Sequence, residues 1–238
     1  MVKTLAIANT LFNDEDKELV DSLLRKIAVA RTRNDRMSVV SRREITSILN
    51  SAEISQIEKV YSLDPFQFGF KGPKQEIEPV PGKLVRIPPM PYHSKGIGLL
   101  TAPQYIPDHT YTVYMRMAKA IYEQLGRTLL IESCYRSNDF QAITFLRILK
   151  INNFNIQQTI QRAAIPGYSE HTTPSRLALD LQNVDGFPTD ETPQDFQDTL
   201  EYKWLGENAE LFDFYMSYPK DNPYGLMFEP WHWRRIPS

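Results

Sequence analysis

Leu177-Ala178-Leu179-Asp180-Leu181-Gln182 is the stretch on which the fold turns. Its alternation is that of a β-strand, with Leu177, Leu179 and Leu181 on one face, toward the core, and Ala178, Asp180 and Gln182 on the other. The strand therefore presents a carboxylate on a polar face, beside a small residue that leaves room for a ligand. Upstream, Thr128 to Ser133 reads as a second, buried strand. Thr112 to Leu125 carries Val113, Met117, Ala120, Ile121 and Leu125 at helical spacing, and Gly126 stands where a C-terminal cap belongs. Ser137 or Asn138 caps a helix through about Lys150, and Asn155 to Ala164 reads as a shorter one. Downstream, Thr192-Pro193 is a cap followed by proline at the first helical position, opening a helical region to about Ser217. Strands and helices mix without a regular βαβ rhythm, which predicts an α+β fold: a small, mostly antiparallel sheet flanked by helices.

Outward from this block the chain is less specific. Nine of the 17 prolines lie between Pro65 and Pro107, which denies that stretch long helices and central strands and leaves extended segments and turns. Before it, residues 14 to 60 read as helical, with Leu19, Leu23, Leu24 and Ile27 forming a one-sided stripe and Asn13-Asp14-Glu15-Asp16 an acidic helix start. The 238 residues suffice to bury a core without a disulfide or metal staple, and 42% hydrophobic residues exclude a disordered chain. A net charge of −2 gives no polybasic footprint for nucleic acid. No stretch reaches the roughly 18 apolar residues of a membrane helix, so no transmembrane segment is expected. Met1 to Phe12 resembles a short basic and apolar signal only faintly: Asn9 and Thr10 interrupt it and no small-residue cleavage site follows, so it is read as part of the fold. The single cysteine, Cys134, reads as a small buried residue with no partner histidine.

Only four histidines are present. His171 stands nine positions before Asp180. His232 lies in Glu229-Pro230-Trp231-His232-Trp233-Arg234, where a strict strand would send Glu229 and His232 to opposite faces; a shared site requires a turn at Pro230-Trp231. Two histidines and one carboxylate are the donor set of a catalytic zinc site with its fourth position open for water. Zn²⁺ with one ionised Asp and two neutral His keeps a net charge of about +1, which lowers a water's pKa toward about 7, and a further glutamate then serves as base. From composition and spacing alone this is one constellation among several. His93 and His109 fit surface or packing roles. Asp185 and Asp190 are alternative carboxylates, in a region that Gly186 and Pro188 mark as a turn.

Pro166-Gly167-Tyr168-Ser169-Glu170-His171, then Leu177-Ala178-Leu179-Asp180, then Glu229-Pro230-Trp231-His232-Trp233-Arg234 resemble the zinc D-alanyl-D-alanine carboxypeptidase family, which includes the vancomycin-resistance D,D-carboxypeptidases and related L,D-carboxypeptidases. Ser133-Cys134-Tyr135-Arg136-Ser137 with Gln141, and Trp204 to Ala209 through Tyr218-Pro219, match as well, so the resemblance covers roughly residues 100 to 236. It implies His171, Asp180 and His232 as zinc ligands in a cleft and Glu229 as catalytic base. It gives Arg136 the substrate's terminal carboxylate, with neutral hydrogen bonds from Gln141 and Ser169. The expected cofactor is Zn²⁺, the expected partner a peptidoglycan stem peptide or muropeptide that loses a C-terminal D-amino acid, D-Ala foremost, and the expected compartment extracytoplasmic.

The corresponding organisation is an N-terminal helical appendage over 1–62, a Pro-rich extended segment over 63–110 packing on the catalytic domain, and the catalytic domain over 111–238. One departure stands out. The family places six residues between the first His and the Asp, with a glycine among them; here Thr172 to Leu179 makes eight and the glycine is missing. Two extra residues preserve strand parity, so Asp180 keeps its face if Pro174 to Arg176 bulge out as a loop. An L,D-carboxypeptidase, a dipeptidase, an endolysin-like endopeptidase or a non-catalytic zinc-containing binding domain would use the same residues, although a binding domain needs neither Glu229 nor Arg136.

Overall fold

The computed structural model describes residues 11–75, 77–186 and 192–237. The signal-like reading of Met1 to Phe12 falls almost wholly outside these residues, as does Asp190. Eight α-helices and eight short strands occur among the described residues. In chain order they are α1 (Asp14–Arg33), α2 (Arg42–Ile48), α3 (Ser51–Tyr61), β1 (Leu84–Ile87), β2 (Pro91–Ser94), β3 (Ile97–Leu100), β4 (Gln104–Pro107), α4 (Asp108–Leu125), β5 (Leu130–Ser133), α5 (Asn138–Ile151), α6 (Ile156–Ile160), β6 (Ala178–Gln182), α7 (Pro193–Gln197), α8 (Leu200–Asn208), β7 (Phe214–Met216) and β8 (His232–Arg235). Helices beside small antiparallel sheets make the fold α+β.

The chain divides into two compact units, each built from separated segments. One comprises the described residues of 1–77, 136–172 and 223–227; the other comprises those of 78–135, 173–222 and 228–238.

The first unit is helical, and its helices begin where side chains satisfy the first free backbone amides. Asn13, Ser41 and Asn50 each form a capping box with the acid three residues on: Asp16, Glu44 and Glu53. Ser137 and Asn155 cap α5 and α6. Val20, Leu23 and Ile27 of α1, Ile57 and Val60 of α3, and Phe145, Leu146 and Leu149 of α5 share one hydrophobic core. Two of the capping-box acids also tie α1 to α3. Asp16 accepts from Gln56 Nε2 at 3.1 Å and pairs with Lys59, while Glu53 accepts from Ser22 Oγ at 2.7 Å and Lys26 Nζ at 2.8 Å. Burial alone would raise both carboxyls, but these partners, with the Asn13 and Asn50 amides, hold them below their ordinary values. Segment 223–227 is tied in by Lys71 N to Tyr224 O at 2.8 Å and Met227 N to Gln161 O at 3.0 Å. Gly225 has φ +75°, and a Cβ there would meet Gly69 O at 2.5 Å, so glycine is required at this crossing.

The second unit holds the four-stranded antiparallel sheet in the order β5-β6-β8-β7, with two separate hairpin-like pairs, β1 with β4 and β2 with β3, in the proline-rich stretch. Helix α4 ends at Gly126, whose φ is +67°. The stripe Tyr114, Met117 and Ile121 on α4 is buried, as are Leu177, Leu179 and Leu181 at the sheet and Trp204 on α8. Two expectations change. The region after Thr192 is helical only to Phe212, and Phe214–Met216 pairs with β8 as an edge strand. The face of β6 that carries Asp180 is covered rather than solvated: all five residues of the strand are buried.

Candidate active site

Strand register brings the first pair of candidate residues together. In the antiparallel β6–β8 ladder Asp180 lies opposite His232, and directly opposed residues hold their Cβ atoms about 4.5–5.5 Å apart. His232 Nδ1 is 3.0 Å from Asp180 Oδ1, with both side chains buried. On the other side of Asp180, β5 carries an irregularity between Ile131 and Ser133, so that Ser133 opposes Asp180. Such bulges bend a strand and re-aim side chains beside functional sites.

The turn required at Pro230-Trp231 is present. His232 N donates to Glu229 O at 3.1 Å, and β8 starts only at His232, so Glu229 falls on the histidine's side with Oε2 3.6 Å from Nδ1. Trp233 Nε1 donates to Pro230 O at 2.9 Å and closes the turn from the far side. The Tyr218 ring lies against His232, with centroids 4.6 Å apart and planes inclined by 30°, while Tyr218 O accepts from Glu229 N at 3.0 Å. Tyr218 therefore touches both the histidine and the backbone of the glutamate. Tyr218-Pro219 is visible in the sequence as a matching stretch, but the stacking is not, because nothing in the spacing tells which ring faces His232.

The remaining candidates form a connected set of their own. Arg136 N donates to His171 O at 3.0 Å, and Arg136 Nη1 donates to Gln141 Oε1 at 3.0 Å. Gln141 is buried and its Nε2 donates to Ala164 O at 2.6 Å, so the amide is fixed at both ends and orients the guanidinium. His171 N donates to Ser169 Oγ at 3.4 Å. Preceding Arg136, Tyr135 is buried, and burial together with the negative charge of Glu78 pushes its phenol up to about 12, so it stays neutral.

The two-residue insertion is a single 3₁₀ turn over Pro174–Arg176 rather than a free loop. Glu78 accepts from Ser175 N at 3.0 Å and from its hydroxyl, His109 Nε2 lies 3.2 Å from Pro174 O, and Arg234 Nε donates to Arg176 O at 3.2 Å. Four hydrogen bonds hold the extra residues, so the insertion is absorbed before β6 begins. His109 thus has a packing role. Cys134 is fully buried with Sγ 3.0 Å from Tyr105 O, as a structural cysteine should be.

His171, Asp180 and His232 make a group able to hold a metal ion: each offers one ligand atom, and these atoms lie within 4.8 Å of one another. Two nitrogens and one carboxylate oxygen, all buried, are the donor set that zinc takes in hydrolytic sites. Two ligand atoms at about 2.0–2.1 Å from a tetrahedral ion are about 3.3 Å apart, close to the Asp180–His232 separation.

A family model described as VanY, D-alanyl-D-alanine carboxypeptidase, matches residues 104–238, more than half of the chain, and the chain belongs to that family. The putative carboxypeptidase YodJ of Bacillus subtilis (strain 168) is 32% identical over 114 residues, 47% of this chain and 39% of the relative. A D-alanyl-D-alanine carboxypeptidase of Enterococcus faecium is 26% identical over 182 residues, 75% of this chain and 53% of the relative. The matches thus span about half or less of the length of these curated relatives. Among solved structures, the LdcB LD-carboxypeptidase superposes with a TM-score of 0.51 at 28% identity, over 66% of this chain and 69% of that one.

Proposed function

We propose that this chain is a zinc-dependent carboxypeptidase that removes the C-terminal D-amino acid, D-Ala foremost, from peptidoglycan stem peptides outside the cytoplasm. The observation that carries the reading is the meeting of Asp180, His232 and Glu229 at the β6–β8 ladder and its preceding turn. His171, Asp180 and His232 are the ligands. Zinc bound there supplies Lewis acidity, polarising the scissile carbonyl and lowering the pKa of a water toward about 7. Glu229 accepts the proton of the attacking water and returns it to the leaving amine. Arg136 takes the terminal carboxylate with its planar fork, held in place by Gln141, and Ser169 adds a neutral hydrogen bond. Tyr218 keeps the His232 ring from rotating.

The likeness to the LdcB LD-carboxypeptidase favours a second reading in which the residue before the scissile bond has the L configuration. One experiment decides between them. The zinc-loaded protein is incubated with tetrapeptide and pentapeptide muropeptides and the products are weighed. Loss of one D-Ala from the pentapeptide supports the D,D reading, and loss from the tetrapeptide supports the L,D reading. Glu229→Ala should retain zinc and lose on the order of 10²–10⁴ of the rate. Unchanged turnover in that variant removes the mechanism.

A further inference from the structure

Residues 25–43 carry seven Lys and Arg against one acid, Asp35, in a chain whose net charge is −2. Within this basic segment a groove of about 520 Å³ runs along the C-terminal half of α1, with Val29, Ala30, Met37 and Ile48 supplying its apolar lining and Arg25 and Arg33 standing on it. Its volume falls in the range of ligand-binding clefts, about 300–1,000 Å³. Val29 is 53% exposed, whereas Val20, Leu23 and Ile27 of the same helix are buried.

The cations of this segment differ in what they already hold. Lys26 also lines the groove but pairs with Glu53, Arg31 lies over the Phe140 ring, and Arg42 pairs with Glu58 and Asp139. Arg25 and Arg33 have no ion-pair partner among the described residues. They are eight residues apart on one helix, about 12 Å along its axis, with Val29 midway. An extended peptide advances about 3.3 Å per residue, so two acids four residues apart span about 13 Å, and the residue between them points its side chain at the centre. A concave apolar floor with a cation at either end fits that shape, whereas a bilayer would call for a projecting apolar ridge.

We propose that this groove docks an extended acidic peptide segment of the pattern acid-x-apolar-x-acid, its apolar side chain against Val29, Met37 and Ile48 and its two carboxylates on Arg25 and Arg33. The site is independent of the peptidase chemistry.

The probe is the blocked pentapeptide acetyl-Glu-Thr-Leu-Thr-Glu-amide, which has no free C-terminal carboxylate and so is no carboxypeptidase substrate. It is titrated into the ¹⁵N-labelled full chain. Saturable shifts should be confined to amides of 25–37 and around Ile48, weaken with salt, and fall at least tenfold in affinity in Arg25→Glu/Arg33→Glu. They should fall similarly when both probe acids are replaced by Gln, or when its Leu is replaced by Gly. Both arginines are exposed, so an unchanged melting curve shows that the variant is folded. Absence of saturable shifts up to about 5 mM, or equal binding by the variant, overturns the proposal. So does co-sedimentation with phosphatidylglycerol vesicles without peptide binding, which would transfer the groove to lipid.

Discussion

In the helical unit the acid that completes a helix cap sits three residues from that cap and also grips the neighbouring helix; in the sheet unit the residues that meet at the candidate site are 52 positions apart. The first arrangement is written in local sequence. The second exists only once β6 and β8 pair in one register, since a slip by one residue would send every side chain to the opposite face. The candidate residues of the sheet unit are thus placed by long-range pairing, whereas within the helical unit short-range bonds order the side chains, such as Gln141 on Arg136.

The strongest way to break this contrast is His232→Ala. It removes a side chain that register alone brings to Asp180. Metal affinity should collapse, and terminal-residue release should fall on the order of a thousandfold or more, about 4 kcal/mol of barrier. Metal analysis of the purified variant beside wild type checks it. Full zinc occupancy would show that the β6–β8 register does not build the site.

A smaller effect, on stability rather than chemistry, is expected from the helical core. Ile57 on α3 is fully buried against α1 and α5. Ile57→Ala should cost about 2–5 kcal/mol in denaturant unfolding, through lost burial and the cavity left behind. Turnover per folded molecule should be unaffected, because Ile57 is a core residue and is not one of the candidate site residues. A loss below about 0.5 kcal/mol would mean that the site can collapse and that the helical unit is not held by this core.

The same contrast explains what the sequence revealed. The starts of α1, α5 and α6 are readable because Asn13, Ser137 and Asn155 bond to amides within three residues. The glycine end of α4 is equally local. The turn at Pro230-Trp231 is legible because Glu229 and His232 cannot share a strand face without it. What could not be read is everything that depends on partners far along the chain. The burial of the Asp180 face depends on residues that come to lie over β6 from elsewhere in the chain, and the strand at Phe214–Met216 is short and takes its pairing from β8. The anchoring of Pro174–Arg176 comes from Glu78 and Arg234, 97 and 58 positions from their partners. In each case the local pattern is ambiguous and tertiary pairing decides it.

The mildest test concerns the dual-purpose acids themselves. Asp16 and Glu53 are both held below their ordinary carboxyl values: burial opposes this, and Lys59 with the Asn13 amide for one, and Lys26 with the Asn50 amide for the other, outweigh it. A carboxyl whose folded pKa is depressed binds fewer protons folded than unfolded. Its contribution is therefore fully present above the unfolded value near about 4 and disappears as pH falls through the folded value. Asp16→Asn and Glu53→Gln keep the size and a hydrogen-bonding oxygen but remove the charge. Each should cost about 1–3 kcal/mol at neutral pH, and the gap from wild type should close as the unfolding experiment is carried down toward about pH 3. A gap that stays constant with pH would assign the caps' value to shape and hydrogen bonding alone. The two lysines would then be bystanders, and the helical unit would be as insensitive to acid as its apolar core.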